Sequence, residues 1–137
     1  MRATATTGVT GIRAEAPELA RRRSMIAAAA ASDKKGEATV VLDMADQLGV
    51  VDTFVITSGT NPRQVRTIAD EVEARLKEVD GRGPLRVEGL DDARWVLLDF
   101  GDIVVHVFLD EVRAYYDLEH LWAGAPRLDW ENEPVAG

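Results

Sequence analysis

Trp95-Val96-Leu97-Leu98-Asp99-Phe100-Gly101-Asp102-Ile103-Val104-Val105-His106-Val107-Phe108 is the stretch on which the fold turns. Two runs rich in β-branched and aromatic residues meet at Gly101-Asp102. That is the composition of two strands joined by a two-residue turn, with Gly supplying the unusual backbone angle. With such a turn Phe100 faces Ile103, Leu98 faces Val105 and Val96 faces Val107. Successive side chains of a strand alternate between the faces of a sheet. One face of the hairpin is therefore Val96, Leu98, Phe100, Ile103, Val105 and Val107, wholly apolar and suited to lie under helices. The opposite face is Trp95, Leu97, Asp99, Val104, His106 and Phe108, a mixture of large apolar groups with one acid and one imidazole.

Outward from the hairpin the chain reads as alternating elements. Pro17 to Ser32 is rich in Ala, Leu, Arg and Met and predicts a helix with Pro17 at its first turn and a thin apolar stripe of Leu19, Met25 and Ile26. The basic triplet Arg21-Arg22-Arg23 reads as a solvated helix face. Thr39 to Met44 and Val51 to Thr57 are β-branched runs separated by a turn. Ser58-Gly59-Thr60-Asn61-Pro62 breaks the second run and starts a helix, with Asn61 as cap and Pro62 at the first helical position. Val65, Ile68, Ala69, Val72, Leu76 and Val79 then recur at helical spacing. Glu71 with Arg75 and Glu73 with Lys77 support that helix as i,i+4 pairs. Gly81 to Pro84 closes it, and Leu85 to Glu88 is a short strand. Val112 to Trp122 carries helical turns in which Tyr116 and Trp122 are assigned to core packing.

The order of elements predicts one α/β domain with a mixed sheet of about five strands flanked by helices. Residues 1–16 read as a flexible extension, 17–123 as the domain and 124–137 as an irregular tail. Residues 1–14 lack Asp and Glu, and their alternative reading is an organellar transit segment. Three helices can cover one face of a five-stranded sheet but hardly both. The mixed face is thus expected to stand open as a protein interface, and its alternative is core covered by a terminal segment.

The 137-residue chain carries a net charge of -8, which disfavours primary binding to nucleic acid and favours a basic protein partner. With no cysteine, disulfides, thiolate catalysis and Cys-based zinc sites are excluded within this chain, and two histidines make a His-rich metal centre unpromising. No apolar run approaches the ~20 residues that span a bilayer. No cofactor or metal is expected.

Several motifs in order resemble a known family. Besides the hairpin these are Asp33-Lys34-Lys35, Asp52 to Thr60, Arg63-Gln64-Val65, Arg86 to Gly89, and Glu111 to Trp122. Together, from about Leu19 to Pro126, they resemble the Iojap-type ribosomal silencing factors. The resemblance implies a nucleotidyltransferase-like mixed sheet and binding to the large ribosomal subunit through its ribosomal protein fourteen. It also implies blocked joining of the small subunit, repressed translation in the cytoplasm, and self-association as dimers. It places the partner contacts on Trp95, Leu97, Asp99, Gly101, Asp102, Val104, His106 and Phe108. Leu109, Gly49-Val50-Val51, the long N-terminal extension and the tail from Asp129 to Glu133 depart from the family pattern. A large-subunit assembly factor using the same face is the alternative.

An enzymatic reading rests on Ser58-Gly59, which is similar to the Gly-Ser turn of nucleotidyltransferases, with Asp99 and Asp102 as imagined metal ligands. No paired carboxylates follow Ser58-Gly59 on a strand face, and no Lys-bearing phosphate loop is present. A non-enzymatic chain is expected. His106 is expected to face Leu97 across the hairpin, with Asp99 near enough to orient its ring, and Asp102 is expected to serve the turn.

Overall fold

The computed structural model describes residues 16–132, so both readings of residues 1–14 lie outside the described residues. The elements are α1 (Glu18–Asp33), β1 (Glu37–Asp43), β2 (Thr53–Gly59), α2 (Pro62–Asp80), β3 (Arg86–Glu88), β4 (Trp95–Asp99), β5 (Ile103–Leu109), α3 (Asp110–Tyr116), α4 (Leu118–Leu121) and β6 (Arg127–Leu128). The strands form one six-stranded sheet in the order β3-β4-β5-β2-β1-β6. All pairs are antiparallel except β2 with β5, the two central strands. Every residue of these two strands is buried. This matches the near-continuous apolar character of their sequences, since a parallel pair is covered on both faces.

The hairpin has the expected parity. Trp95 pairs with Phe108, Leu97 with His106 and Asp99 with Val104, and Phe100 N–H donates to the Ile103 carbonyl at 3.0 Å across the turn. Gly101 has φ 93° while Asp102 does not share the positive φ, the pattern of a type II′ turn with Gly at its first central position.

The wholly apolar face lies under α1 and α2. Ser24 of α1 shares a hydrogen bond with Thr53, which the β2–β5 register places beside Ile103. The α2 stripe is buried from Val65 to Leu76, while Val79 near the helix end is exposed. Asn61 accepts the Gln64 amide at 2.9 Å, a cap worth about 1 kcal/mol. Gly81 ends the helix in the left-handed region, where a Cβ is strained. Arg75 bonds both Glu71 and Asp33 at 2.7 Å, joining α2 to the end of α1.

Three expectations change here. The stripe of α1 is not led by Leu19, which is 57% exposed; Ala27, Ala28, Ala30 and Ala31 are fully buried instead. The helix is packed against α2 as well as β1 and β2, and small side chains permit that close approach. The tail is not irregular throughout. β6 adds a sixth strand against β1, and Trp130 Nε1–H donates to the Thr39 carbonyl at 2.8 Å. Two residues of strand carry no periodic signal, so the sequence offered no cue.

The third change concerns the basic triplet. Arg23 is only 1% exposed, donates from Nε to Asp102 Oδ2 at 3.1 Å and also pairs with Asp80. Its guanidinium stands 5.5 Å from the Phe100 ring centroid. Arg22 alone of the three is fully on the solvent side. Asp102 thus does more than serve the turn: it anchors α1 through its carboxylate, while its carbonyl accepts the Asp52 amide at 2.8 Å.

Arg23→Met should lower stability by roughly 3 kcal/mol in urea unfolding, because it takes the cation from Asp102 and leaves Asp80 with only the more distant Arg82 at 3.5 Å. Arg22→Met should stay within about 0.5 kcal/mol of the parent. Burial acts to raise the Asp80 pKa, but the Arg82 amide and the Arg23 guanidinium outweigh it and hold the carboxyl below its ordinary value. A depressed carboxylate pKa contributes stability that is full above the ordinary carboxylate range and is lost as pH falls through the folded value. The stability gap between the parent and Asp80→Asn should therefore narrow in acid, measured by urea unfolding from neutral pH down to pH ~3.

Candidate partner-binding surface

The β2–β5 register puts Phe54, Ile56 and Ser58 on the same face as Val104, His106 and Phe108. This is the mixed face, and α3, α4 and the segment after them reach it. Arg113 of α3 donates to Ser58 Oγ at 3.0 Å, and Trp122 lies edge-on to Phe54 with ring centroids 6.4 Å apart. The expectation of an open mixed face is therefore corrected for its β5 half: Val104, His106 and Phe108 are buried. The C-terminal segment covers them because short helices at the end of β5 fold back over the strand they follow. The β4 half remains partly open, with Trp95, Leu97 and Asp99 half-buried and Gly101 and Asp102 half-buried at the turn. Beyond β4, the edge strand β3 sets Glu88 beside Leu97 and Arg86 beside Asp99, and both are exposed.

Trp95 is the centre of this open part. Its ring centroid lies 4.8 Å from that of Phe108 and 4.8 Å from that of Tyr116. Its indole N–H donates to His106 Nδ1 at 3.1 Å. Gly89 seats the start of β4: it has φ 82°, and a Cβ there would stand 2.0 Å from the Trp95 carbonyl oxygen. Tyr116 is 51% exposed and Tyr115 81% exposed, with their rings edge to face at 5.0 Å. Tyr116 therefore leans on Trp95 at the surface and is not part of the core, whereas Trp122 does pack against the core. The helix explains the difference. α3 ends at Tyr116, Asp117 turns into the left-handed region at φ 49°, and α4 restarts on a new axis. A single continuous stripe from Val112 to Trp122 does not exist.

A groove of about 570 Å³ opens beside these rings, bordered by Trp95, Tyr115 and Tyr116 with Asp92, Arg94 and Glu111. Two acids and one base rim three aromatic rings. Two adjacent tyrosines, whose hydroxyls need partners or water, were the sequence signal for Tyr115 and Tyr116 that the expected site left out.

His106 does not pair with Asp99. Its Nδ1 accepts from Trp95, so the ring proton sits on Nε2, which is buried without a hydrogen-bond partner among the described residues. Burial pushes the imidazole pKa down to about 4, so the ring is neutral at pH 7. Asp99 accepts the Gly101 amide at 2.9 Å and lies 3.6 Å from Arg86. Asp102 turns toward Arg23 instead. The two carboxylates imagined as a metal pair are committed to different partners.

The Ser58-Gly59 turn is occupied by the chain's own side chains. Arg113 bonds Ser58 Oγ, the carbonyls of Glu37 and Ala38 at 3.0 and 2.6 Å, and Glu119 at 2.7 Å. An irregularity in the β1–β2 register falls between Glu37 and Val40, with Ala38 at φ 48°, at the place where Arg113 takes those two carbonyls. Gln64 accepts the Thr60 amide at 2.7 Å and donates to the Lys34 and Lys35 carbonyls at 3.2 and 3.0 Å. The local sequence that resembles a nucleotide-binding turn thus closes on itself.

Comparison with known proteins agrees with this architecture. A family model described as "Ribosomal silencing factor during starvation" matches residues 15–136. The "Ribosomal silencing factor RsfS" of Bacillus subtilis (strain 168) is 47% identical over 104 residues, covering 76% of this chain and 87% of that protein. A crystal structure of a Chromobacterium violaceum protein superposes with a TM-score of 0.72 at 34% identity, covering 85% of this chain and 94% of that one. A more distant relative in Mus musculus, named "Mitochondrial assembly of ribosomal large subunit protein 1", is 33% identical over 60% of this chain and 37% of its own length. With the family model spanning all of the described fold, and the fold itself shared with a solved relative, the chain belongs to the ribosomal silencing factor family.

Proposed function

We propose that this chain binds the large ribosomal subunit through that subunit's ribosomal protein fourteen, stands in the way of the small subunit and so represses translation in the cytoplasm. The observation that carries the site is the Trp95–Tyr116 aromatic pair beside half-buried Leu97, rimmed by Asp92 and Glu111. Aromatic anchors in a partly desolvated patch supply most of the energy of protein interfaces. The acidic rim and the net charge of -8 suit a basic partner and speed the encounter. Family membership is what directs the reading to the ribosome. The site comprises Trp95, Leu97 and Asp99 on the open half of the face, with Gly101 and Asp102 at the adjoining turn and Tyr115 and Tyr116 added from α3. Val104, His106 and Phe108 support it from below. The function is one of binding, without catalysis: Ser58, Asp99 and Asp102 all serve contacts within the chain. When free, the chain self-associates as a dimer, a state that light scattering measures.

Assembly of the large subunit through the same surface is the second reading, favoured by the name of the mouse relative. Precursor particles accumulating in a deletion strain would select it over silencing.

Trp95→Ala and Leu97→Glu should each abolish co-sedimentation with isolated large subunits on sucrose gradients while leaving circular dichroism unchanged. The parent protein should shift mixed subunits away from the joined particle. Wild-type sedimentation of both variants would overturn the placement of the site. The double substitution Asp92→Lys with Glu111→Lys should slow association roughly tenfold at low salt, and the deficit should shrink as salt rises, because rim charges act mainly on the on-rate. Surface plasmon resonance on captured large subunits reads both effects.

A further inference from the structure

An imidazole is an odd filling for the place that His106 occupies. The residue is 4% exposed and walled by rings: Phe54 lies edge-on at 4.6 Å and Phe108 is stacked at 6.2 Å. Its Nε2 finds no partner among the described residues. A buried polar group left unpaired is destabilising, and a phenyl ring would fill the same space without that cost. Among the described residues, the one hydrogen bond that the His106 side chain makes is to accept the Trp95 indole N–H at Nδ1, 3.1 Å away.

What that bond decides is the orientation of Trp95. An indole on a half-buried strand position at the rim of a groove can turn over about its outer torsion, which is broad for such rings. Packing against Phe108 and Tyr116 holds the plane of the ring but does not distinguish its N–H edge from its carbocyclic edge. The acceptor on His106 does. A tryptophan has one donor and no acceptor, so once the N–H is turned inward the outward surface of the ring is purely apolar and π in character.

We propose that His106 is a positioning residue for the partner-binding surface: its Nδ1 holds the Trp95 indole in a single flip, so that the ring meets the partner with its only donor spent. The inference rests on the reading of Trp95 as the contact anchor. It specifies the chemistry of what the ring accepts. That group is an apolar side chain or a cation over the ring face, and no hydrogen-bond acceptor is read by the indole.

The test uses the full chain and isolated large ribosomal subunits. In ¹⁵N-labelled wild-type protein a through-bond coupling should link Trp95 Nε1 with His106 Nδ1. His106→Phe should keep its thermal midpoint or raise it, shift the Trp95 indole resonance, and weaken subunit binding roughly three- to tenfold, the worth of one hydrogen bond. His106→Asn, whose side-chain oxygen stands near the position of Nδ1, should recover the indole resonance and most of the affinity. Absence of the coupling in the wild-type protein overturns the proposal. So does full affinity in His106→Phe when Trp95→Ala has lost it. Should His106→Phe fail to fold, His106→Asn decides: affinity kept with the indole resonance displaced is again fatal. If Trp95→Ala itself binds normally, the site reading has failed, and the coupling in the free protein then shows separately whether the bond exists.

Discussion

The two-residue turn at Gly101–Asp102 sets the parity of everything built on β4 and β5, and much else is tied to that turn. A loop one residue longer would carry every apolar side chain of one strand to the wrong face. The parity is then locked from three sides. The Asp102 carbonyl takes the Asp52 amide and fixes where β2 begins against β5. The Asp102 carboxylate takes Arg23 and fixes where α1 lies. Asp99 takes the Gly101 amide and closes the turn from the other strand. One charged side chain thus joins the first helix, the end of α2 through Asp80, and the hairpin.

A second anchor does the same at the opposite end of the sheet. Arg113 gathers a displaced stretch of β1, the end of β2 and the start of α4 into one set of hydrogen bonds. The two arginines sit on opposite faces. The result is a parallel central pair, β2 and β5, sealed by α1 and α2 on one side and by the C-terminal helices on the other. Only toward β4 and β3 does the second layer run out, and that is where Trp95 and the tyrosines come to the surface. The position of the candidate site follows from the length of the covering segment.

Much of this was legible in the residues. The alternation from Trp95 to Phe108 separated the faces, and the α2 stripe with Asn61 and Gly81 at its ends defined the long helix. Both signals are local: period, cap and turn chemistry act within a few residues. What stayed hidden was long-range pairing. Arg23 sits in a basic triplet, and nothing in its neighbourhood says that Asp80 and Asp102 will meet it. His106 has Asp99 close on the same strand pair, yet the indole across the hairpin claims its nitrogen. β6 is too short to show a period. The family resemblance named the right fold but carried over Val104, His106 and Phe108 as contacts, and these the structure buries.

The two edges of the sheet are finished differently. On one side the two residues of β6 and the Trp130 hydrogen bond cap β1, covering main-chain groups that would otherwise be exposed. On the other, β3 is three residues long, and Arg86 and Glu88 pair with each other at 3.2 Å along it. A short edge carrying both charges is a poor template for an incoming strand, and an outer strand of two residues is a poorer one. The chain can therefore display an aromatic patch beside an edge strand and still resist the edge-to-edge growth of sheets by which such patches lead to aggregation.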